Sequence, residues 1–300
     1  MNINFWLDLL ILTCIWAGVA GAWNLLAGFA GQFSLGHAAF FGIGAYTPPL
    51  MAMSLGLPSW VGIAAGAALS AALALLIAGV SLRTRGPFFT LITIAFAEVI
   101  RILAVYFKGI TKGSEGLMVE LEPGFANFFY VAKWPYLALA AIYAAGVIYL
   151  CAVVRRTRLG FRLLSVREDE DAARSLGVPV FVARAKAAAI SASLAALGGS
   201  IFGLYTKFVD PDSTLSFLLS VQPALITIVG GLGQSAGPLL GAALVVPIEH
   251  LLRSWFGGVL FGLHGLIFGL ALIATLLVLP DGLAGGIKRW RGRGRRVRHA

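Results

Sequence analysis

The chain has 300 residues, of which 59% are hydrophobic and only 12% charged, with 37 glycines and a mean hydropathy of +0.89. This composition excludes an ordinary soluble domain and points to a polytopic helical membrane protein whose main solvent is lipid. The net charge of +10 does not imply nucleic acid, because the 23 Lys and Arg cluster between apolar runs rather than along one polar face.

The opening MNINFWLDLLILTCIW has no basic segment and no small-residue cleavage site, so residues 5–30 read as a retained first span. The next run, 35–57, contains Gly36, Gly42, Gly44, Pro48 and Pro49, which makes it either a kinked span or a re-entrant element. Runs at 60–82, 87–107, 134–154, 185–206, 216–232, 236–256 and 259–280 are each apolar enough for a crossing. The expectation is therefore an all-α bundle of about nine transmembrane helices, eight to ten, with residues 1–300 forming one transmembrane domain. Gly62 and Gly66, like Gly233, Gly237 and Gly241, show the four-residue spacing of small residues at close helix contacts.

Charge sets the expected orientation. Eight Lys and Arg lie between Arg155 and Lys186, and seven more between Lys288 and Arg298, so 155–184 and the tail 284–300 both read as cytoplasmic. The four intervening runs satisfy the required even number of crossings. Counting back places the loop 108–133, with Glu115, Glu120 and Glu122, outside, and Arg83 and Arg85 inside. The N-terminus faces out only if 35–57 crosses fully.

Residues 167–177, REDEDAARSLG, concentrate six charges in eight residues. Ser165 and Glu168 have capping-box spacing, and Gly177 and Pro179 mark a stop, which predicts one helix over Val166–Leu176. Glu170 with Arg174 and Arg167 with Asp171 are i,i+4 pairs, each contributing only about 0.2–0.5 kcal/mol. So short a helix is marginal alone, and docking into another protein's groove would stabilise it.

Asp171-Ala172-Ala173-Arg-Ser-Leu-Gly177 resembles the E-A-A-x-x-x-G coupling loop of ABC-importer permeases, with Asp in place of the first Glu and no I-x-L-P ending downstream. NLLAGFAGQFSLGHAAFFGIGAY (24–46), LRTRGPFFTLITIAFAEVIRI (82–102), TKGSEGL (111–117), RLGFRLLSVREDEDAARSLGV (158–178), GGLGQSAGPLLGA (230–242) and LPDGL (279–283) are similar, in order, to branched-chain amino acid ABC permeases. The resemblance implies an importer of leucine, isoleucine or valine in a bacterial-type inner membrane. Its partners would be two ATPase subunits, a second related permease and a soluble substrate-binding protein. Family members for urea, amides or other small solutes are the alternative.

No lysine in the chain follows a glycine, so there is no phosphate-binding G-x-x-x-x-G-K loop. ATP and Mg are accordingly expected on the partner ATPases, with no cofactor on this chain. The residues that the resemblance assigns to ATPase coupling are Arg167, Glu168, Asp171, Ala172, Ala173 and Gly177.

Candidates for the translocation pathway are Asn24, Gln32, Ser34 and His37, around the glycine-interrupted start of the second run, and Glu98 with Arg101, three apart inside an apolar run. Such a pair at that depth is expected to face the bundle interior. For His37 an interhelical hydrogen bond competes with a transport role. Asp210 and Asp212 fall on the expected outer side, where a binding protein would dock.

Two other classes carry less. Gly233-Gln-Ser235-Ala-Gly237 has the form of a nucleophile elbow, with His250 and His264 downstream, but it lies between apolar helical runs where the chemistry needs a strand-to-helix turn. An ion-coupled secondary transporter fits composition but not the coupling-loop pattern. Cys14 and Cys151 show neither disulfide nor metal-site spacing.

Overall fold

An apolar sequence with Asp8 as its one charged side chain carries α1 from Ile3 to Asn24, where it passes into a π-helical turn, Leu25–Phe29. Gly31, at φ 69°, ends the helical path. The computed structural model describes residues 3–81, 87–119, 127–256 and 282–286, together with Gly124 and Gly269. The expected run 259–280, Arg83, Arg85, Glu120, Glu122, His264 and the tail beyond 286 lie outside the described residues.

After α1 come α2 (His37–Leu55), α3 (Ser59–Ser81) and α4 (Pro87–Tyr106), then a short α5 (Lys108–Thr111) and a two-residue strand β1 (Leu117–Met118). Helix α6 (Trp134–Arg156) leads into α7 (Arg158–Glu168) and α8 (Glu170–Ser175), and α9 (Val180–Thr206) returns across the bundle. Strand β2 (Phe208–Val209) pairs antiparallel with β1, matching Leu117 to Val209, and α10 (Pro211–Thr214), α11 (Phe217–Gly230) and α12 (Gly237–Phe256) follow. The protein is a multi-pass all-α membrane protein. Among the described residues seven helical segments are long and apolar enough to cross a membrane, and Gly237–Leu252 of α12 is a shorter apolar helix.

Helix α1 is the axis, packed on α6, α9, α11 and α12. Tyr205 at the end of α9 donates a hydrogen bond to Asp8, and Ser191 donates to the carbonyl of Ala22 at 2.6 Å, so α9 runs antiparallel to α1. His37 meets Ser191 and Gly44 meets Ser200, which makes α2 parallel to α9. Thus 37–55 is one continuous helix with Pro48 and Pro49 inside it, long and apolar enough to cross, and it does not fold back on itself. Ion pairing of Asp8 with Lys133 at 2.6 Å sets α6 parallel to α1.

Two ends of the bundle result. One holds Asp8, Lys133, Tyr205 and the β1–β2 pair; the other holds α7, α8 and the turn from α11 to α12. Gly282 sits against Gly231 at the α7 end, while α12 leads away from it.

Small residues decide the packing. Every buried residue of α3 is small, at Ser59, Gly62, Gly66, Ser70, Ala74, Ala78 and Ser81, forming one stripe toward α2 and α9. Without hydrophobic drive between helices in lipid, such close approach supplies the attraction through van der Waals contact. Among the closest contacts is that of α2 with α9, where a Cβ on Gly199 would run into the Phe41 carbonyl and one on Gly44 into Ala196. The Ser200 hydroxyl donates to the Gly44 carbonyl at 2.9 Å in the same contact.

Gly199→Leu should therefore cost about 1–3 kcal/mol or more through overpacking, lowering the thermal midpoint of the purified protein in detergent. Gly146→Leu on α6, where nothing lies within 4 Å of the added Cβ, is the matched control and should leave the midpoint nearly unchanged.

Candidate functional site

The charged segment is an elbow of two helices. Thr157 caps α7, its hydroxyl accepting from the Gly160 N–H at 3.4 Å. Helix α7 ends at Glu168 because Asp169 turns extended, with φ −154°, and its carboxylate accepts from the N–H groups of Asp171 and Ala172, each at 2.9 Å. The single helix expected over Val166–Leu176 is thus corrected to two, since an aspartate at the N-cap outcompetes the serine upstream. Ser165 caps nothing; its hydroxyl donates back to the Arg162 carbonyl at 2.9 Å. The break also removes the Arg167–Asp171 register, and Asp171 lies 4.0 Å from Arg174 instead. Glu170 and Arg174 do pair, at 2.7 Å, and Gly177 takes the expected left-handed conformation at φ 79°.

Three attachments hold the elbow to the bundle. Val166, Ala173 and Val180 form a small apolar cluster. The Arg167 Nη1 donates to the Gly28 carbonyl at 2.6 Å, in the π turn that ends α1. Arg184, buried near the start of α9, donates from Nη1 to Glu170 of α8 at 2.7 Å. Its Nε and Nη2 donate to Gln32 at 3.0 and 3.2 Å, with the Gln32 amide oxygen turned toward the guanidinium. A buried cation is thereby paired and hydrogen-bonded on both edges, as low dielectric requires.

Of the six expected coupling residues, Glu168, Asp171, Ala172 and Gly177 are exposed, beside Leu176 at 84% exposure. Ala173 faces inward, so its small side chain seats the elbow rather than meeting a partner. Arg167 is directed at Gly28, a link that the chain's linear order hides.

The polar residues expected on the pathway at the start of the second run are hydrogen-bonded within this chain. Asn24 clamps the turn from α11 to α12, donating to the Gln234 carbonyl at 3.0 Å and accepting from the Gly233 N–H at 2.8 Å. Since Ser191 donates to Ala22, its oxygen receives the Nε2–H of His37 at 2.9 Å, which leaves Nδ1 to accept from Ser34 at 3.2 Å. One neutral tautomer satisfies the whole chain. Gln32 is committed to Arg184. Each group is buried and consumed within this chain.

Glu98 and Arg101 are joined by 2.6 and 3.1 Å hydrogen bonds, but their side chains are 45% and 32% exposed, so the pair does not face the bundle interior. Arg101 also approaches Asp212 at 3.5 Å. Ser235 lies in a turn between two helices, and His250 stands thirteen residues into α12, about 20 Å along a helix from its start. The elbow geometry of a hydrolase is absent among the described residues. No cluster of three His, Cys, Asp or Glu able to hold a metal occurs among them either.

The family model for the permease component of branched-chain amino acid transport systems matches residues 5–276. The chain belongs to this permease family. It is 30% identical to the high-affinity branched-chain amino acid transport system permease protein LivM of Salmonella typhimurium, over 92% of this chain and 69% of that protein. The LivM protein of Escherichia coli K12 matches over the same shares at 30% identity. A 32% identical relative over 56% of this chain and 48% of its own is the autoinducer 2 import system permease LsrC of Klebsiella pneumoniae. No solved structure matches. The permease is a transporter subunit rather than an enzyme, and α7–α8 occupies the segment that carried the coupling-loop resemblance.

Arg184→Met removes the cation that Glu170 and Gln32 share and should release α8. Losing about 1–2 kcal/mol there predicts roughly tenfold or faster amide exchange over 169–177. Glu168→Ala, at an exposed side chain, should leave that exchange unchanged when both are followed by hydrogen–deuterium mass spectrometry.

Proposed function

We propose that this chain is one membrane-spanning subunit of an ATP-driven importer that passes branched-chain amino acids across a bacterial-type inner membrane. The observation that carries the reading is the α7–α8 elbow: tied inward by Arg167 and Arg184, yet presenting Glu168, Asp171, Ala172 and Leu176 outward. Such an element is built to receive force from outside and deliver it to α1 and α9. Its docking partner is one of two ATPase subunits, which hold ATP and Mg; the second half of the pathway comes from a related permease, and a soluble binding protein delivers substrate.

The α7 end then faces the cytoplasm, in keeping with its basic flanks, and residues 282–286 share that side. The N-terminus and Asp210–Asp212 face outward. Coupling is mechanical. Displacing the elbow pulls on the Gly28 carbonyl and on Gln32 through Arg184, at the two sides of the irregular segment joining α1 to α2.

The similarity to an autoinducer 2 permease favours a second reading, transport of another small solute by the same machinery. Uptake assays with leucine, isoleucine and valine against that solute separate the two.

Asp171→Arg reverses charge on an exposed surface, so stability should stay within roughly 0.5 kcal/mol of wild type. Uptake in vesicles containing the whole importer should fall about tenfold or more, with loss of substrate-stimulated ATP hydrolysis. Full uptake at matched expression would remove α8 from the coupling interface.

A further inference from the structure

Helix α4 buries the smallest share of its length among the seven described spans, packing chiefly on α2 and α3. Its free side carries Phe88, Leu91, Ala95, Glu98 and Ile102, all reaching the surface, in the alternating three- and four-residue spacing of a seam between two helices. Lipid suits the four apolar members but not Glu98. At 1.5 Å per residue Glu98 stands about 15 Å from Phe88 and about 12 Å from Tyr106, close to the middle of the span. Arg101 reaches back to Glu98 at 2.6 Å, so its guanidinium turns away from the nearer helix end rather than out to the headgroups. Asp212 of α10 approaches the same guanidinium at 3.5 Å, with its own side chain 81% exposed. Ionised side chains at such depth are stable against protein or water, not against hydrocarbon.

Of the partners proposed above, only another membrane-spanning subunit reaches this level, because the ATPase meets the α7 end and the binding protein is soluble. Charge narrows the occupant further. Two carboxylates share one guanidinium, and among the described residues no second cation pairs with either of them. The face therefore holds one negative charge in excess. A second copy of this chain would double that excess, whereas a distinct permease with a Lys or Arg at this level would cancel it.

We infer that the side of α4 bearing Leu91, Ala95, Glu98 and Ile102, with Asp212 beside it, is the seam against the second, distinct permease subunit, which supplies a cationic side chain to Glu98 and Asp212. The inference rests on the proposed importer function and adds to it the surface by which the two permeases meet. Ala95, the smallest residue of the seam, lets the partner helix come close.

The test uses the complete importer in native membranes, with the photoreactive residue p-benzoylphenylalanine placed at Ile102 or, as a control, at Ile142. Ile142 is 70% exposed on α6, which packs on α1 and α9 away from α4. Illumination at position 102 should join this chain to the second permease, identified by mass spectrometry of the product, and position 142 should give at least fivefold less of that product. Asp212→Lys reverses charge at an exposed side chain and should lower the yield at position 102 about threefold or more, with the thermal midpoint of the isolated chain unchanged. If Asp212→Lys does not fold, the comparison of positions 102 and 142 decides. A second permease that co-purifies while position 102 joins only lipid, or only another copy of this chain, overturns the seam alone. A yield that Asp212→Lys leaves unchanged overturns the cationic match. An importer preparation that contains no second permease overturns the importer reading, and the seam with it.

Discussion

The backbone contact between α2 and α9 is the constraint on which the rest of the bundle depends. At Gly44 and Gly199 neither helix has a side chain to separate them, and Ser200 adds a hydrogen bond to the Gly44 carbonyl. In lipid, helices gain nothing from leaving an apolar solvent, so close packing and internal hydrogen bonds must hold them. Once α2 lies on α9, His37 is delivered to Ser191 and Ser191 to Ala22, which draws the end of α1 into the same contact. The small stripe of α3 closes over both helices.

The irregular segment between α1 and α2 exists because that packing surrounds it. Non-helical backbone at the edge of a membrane protein survives only where protein or water satisfies its polar groups. Here Asn24 binds the Gly233–Gln234 turn, Trp23 donates to the Ser34 carbonyl at 2.7 Å, and Arg167 takes the Gly28 carbonyl that the π turn presents. The elbow α7–α8 is consequently joined to the least regular part of the core rather than to a rigid helix.

Much of this was legible in the chain. The apolar runs up to residue 230, the four-residue spacing at Gly62 and Gly66, the left-handed Gly177 and the Glu170–Arg174 pair are local or periodic features, and each is in its expected place. The elbow was misread by one competing signal: Asp169, followed by Glu170 and Asp171, is a stronger cap than Ser165. The polar residues near the second run are recognisable as special in the chain, but their hydrogen-bond partners are not. Whether a buried Asn or His serves a pathway or a scaffold depends on what stands opposite, and for Asn24 that is a turn 209 residues later.

By itself the sequence determined that the protein lives in lipid, which segments are apolar enough to form helices there, and which segments carry the basic charge. These follow from composition and from periods shorter than a few helical turns. Only the tertiary structure decided that Arg184 joins α8 to Gln32, that Ala173 turns inward, and that the Glu98–Arg101 pair is exposed rather than facing the bundle interior. The reason is physical. A guanidinium or a small side chain carries no mark of its partner until helices far apart in the chain have packed and set the distances between them.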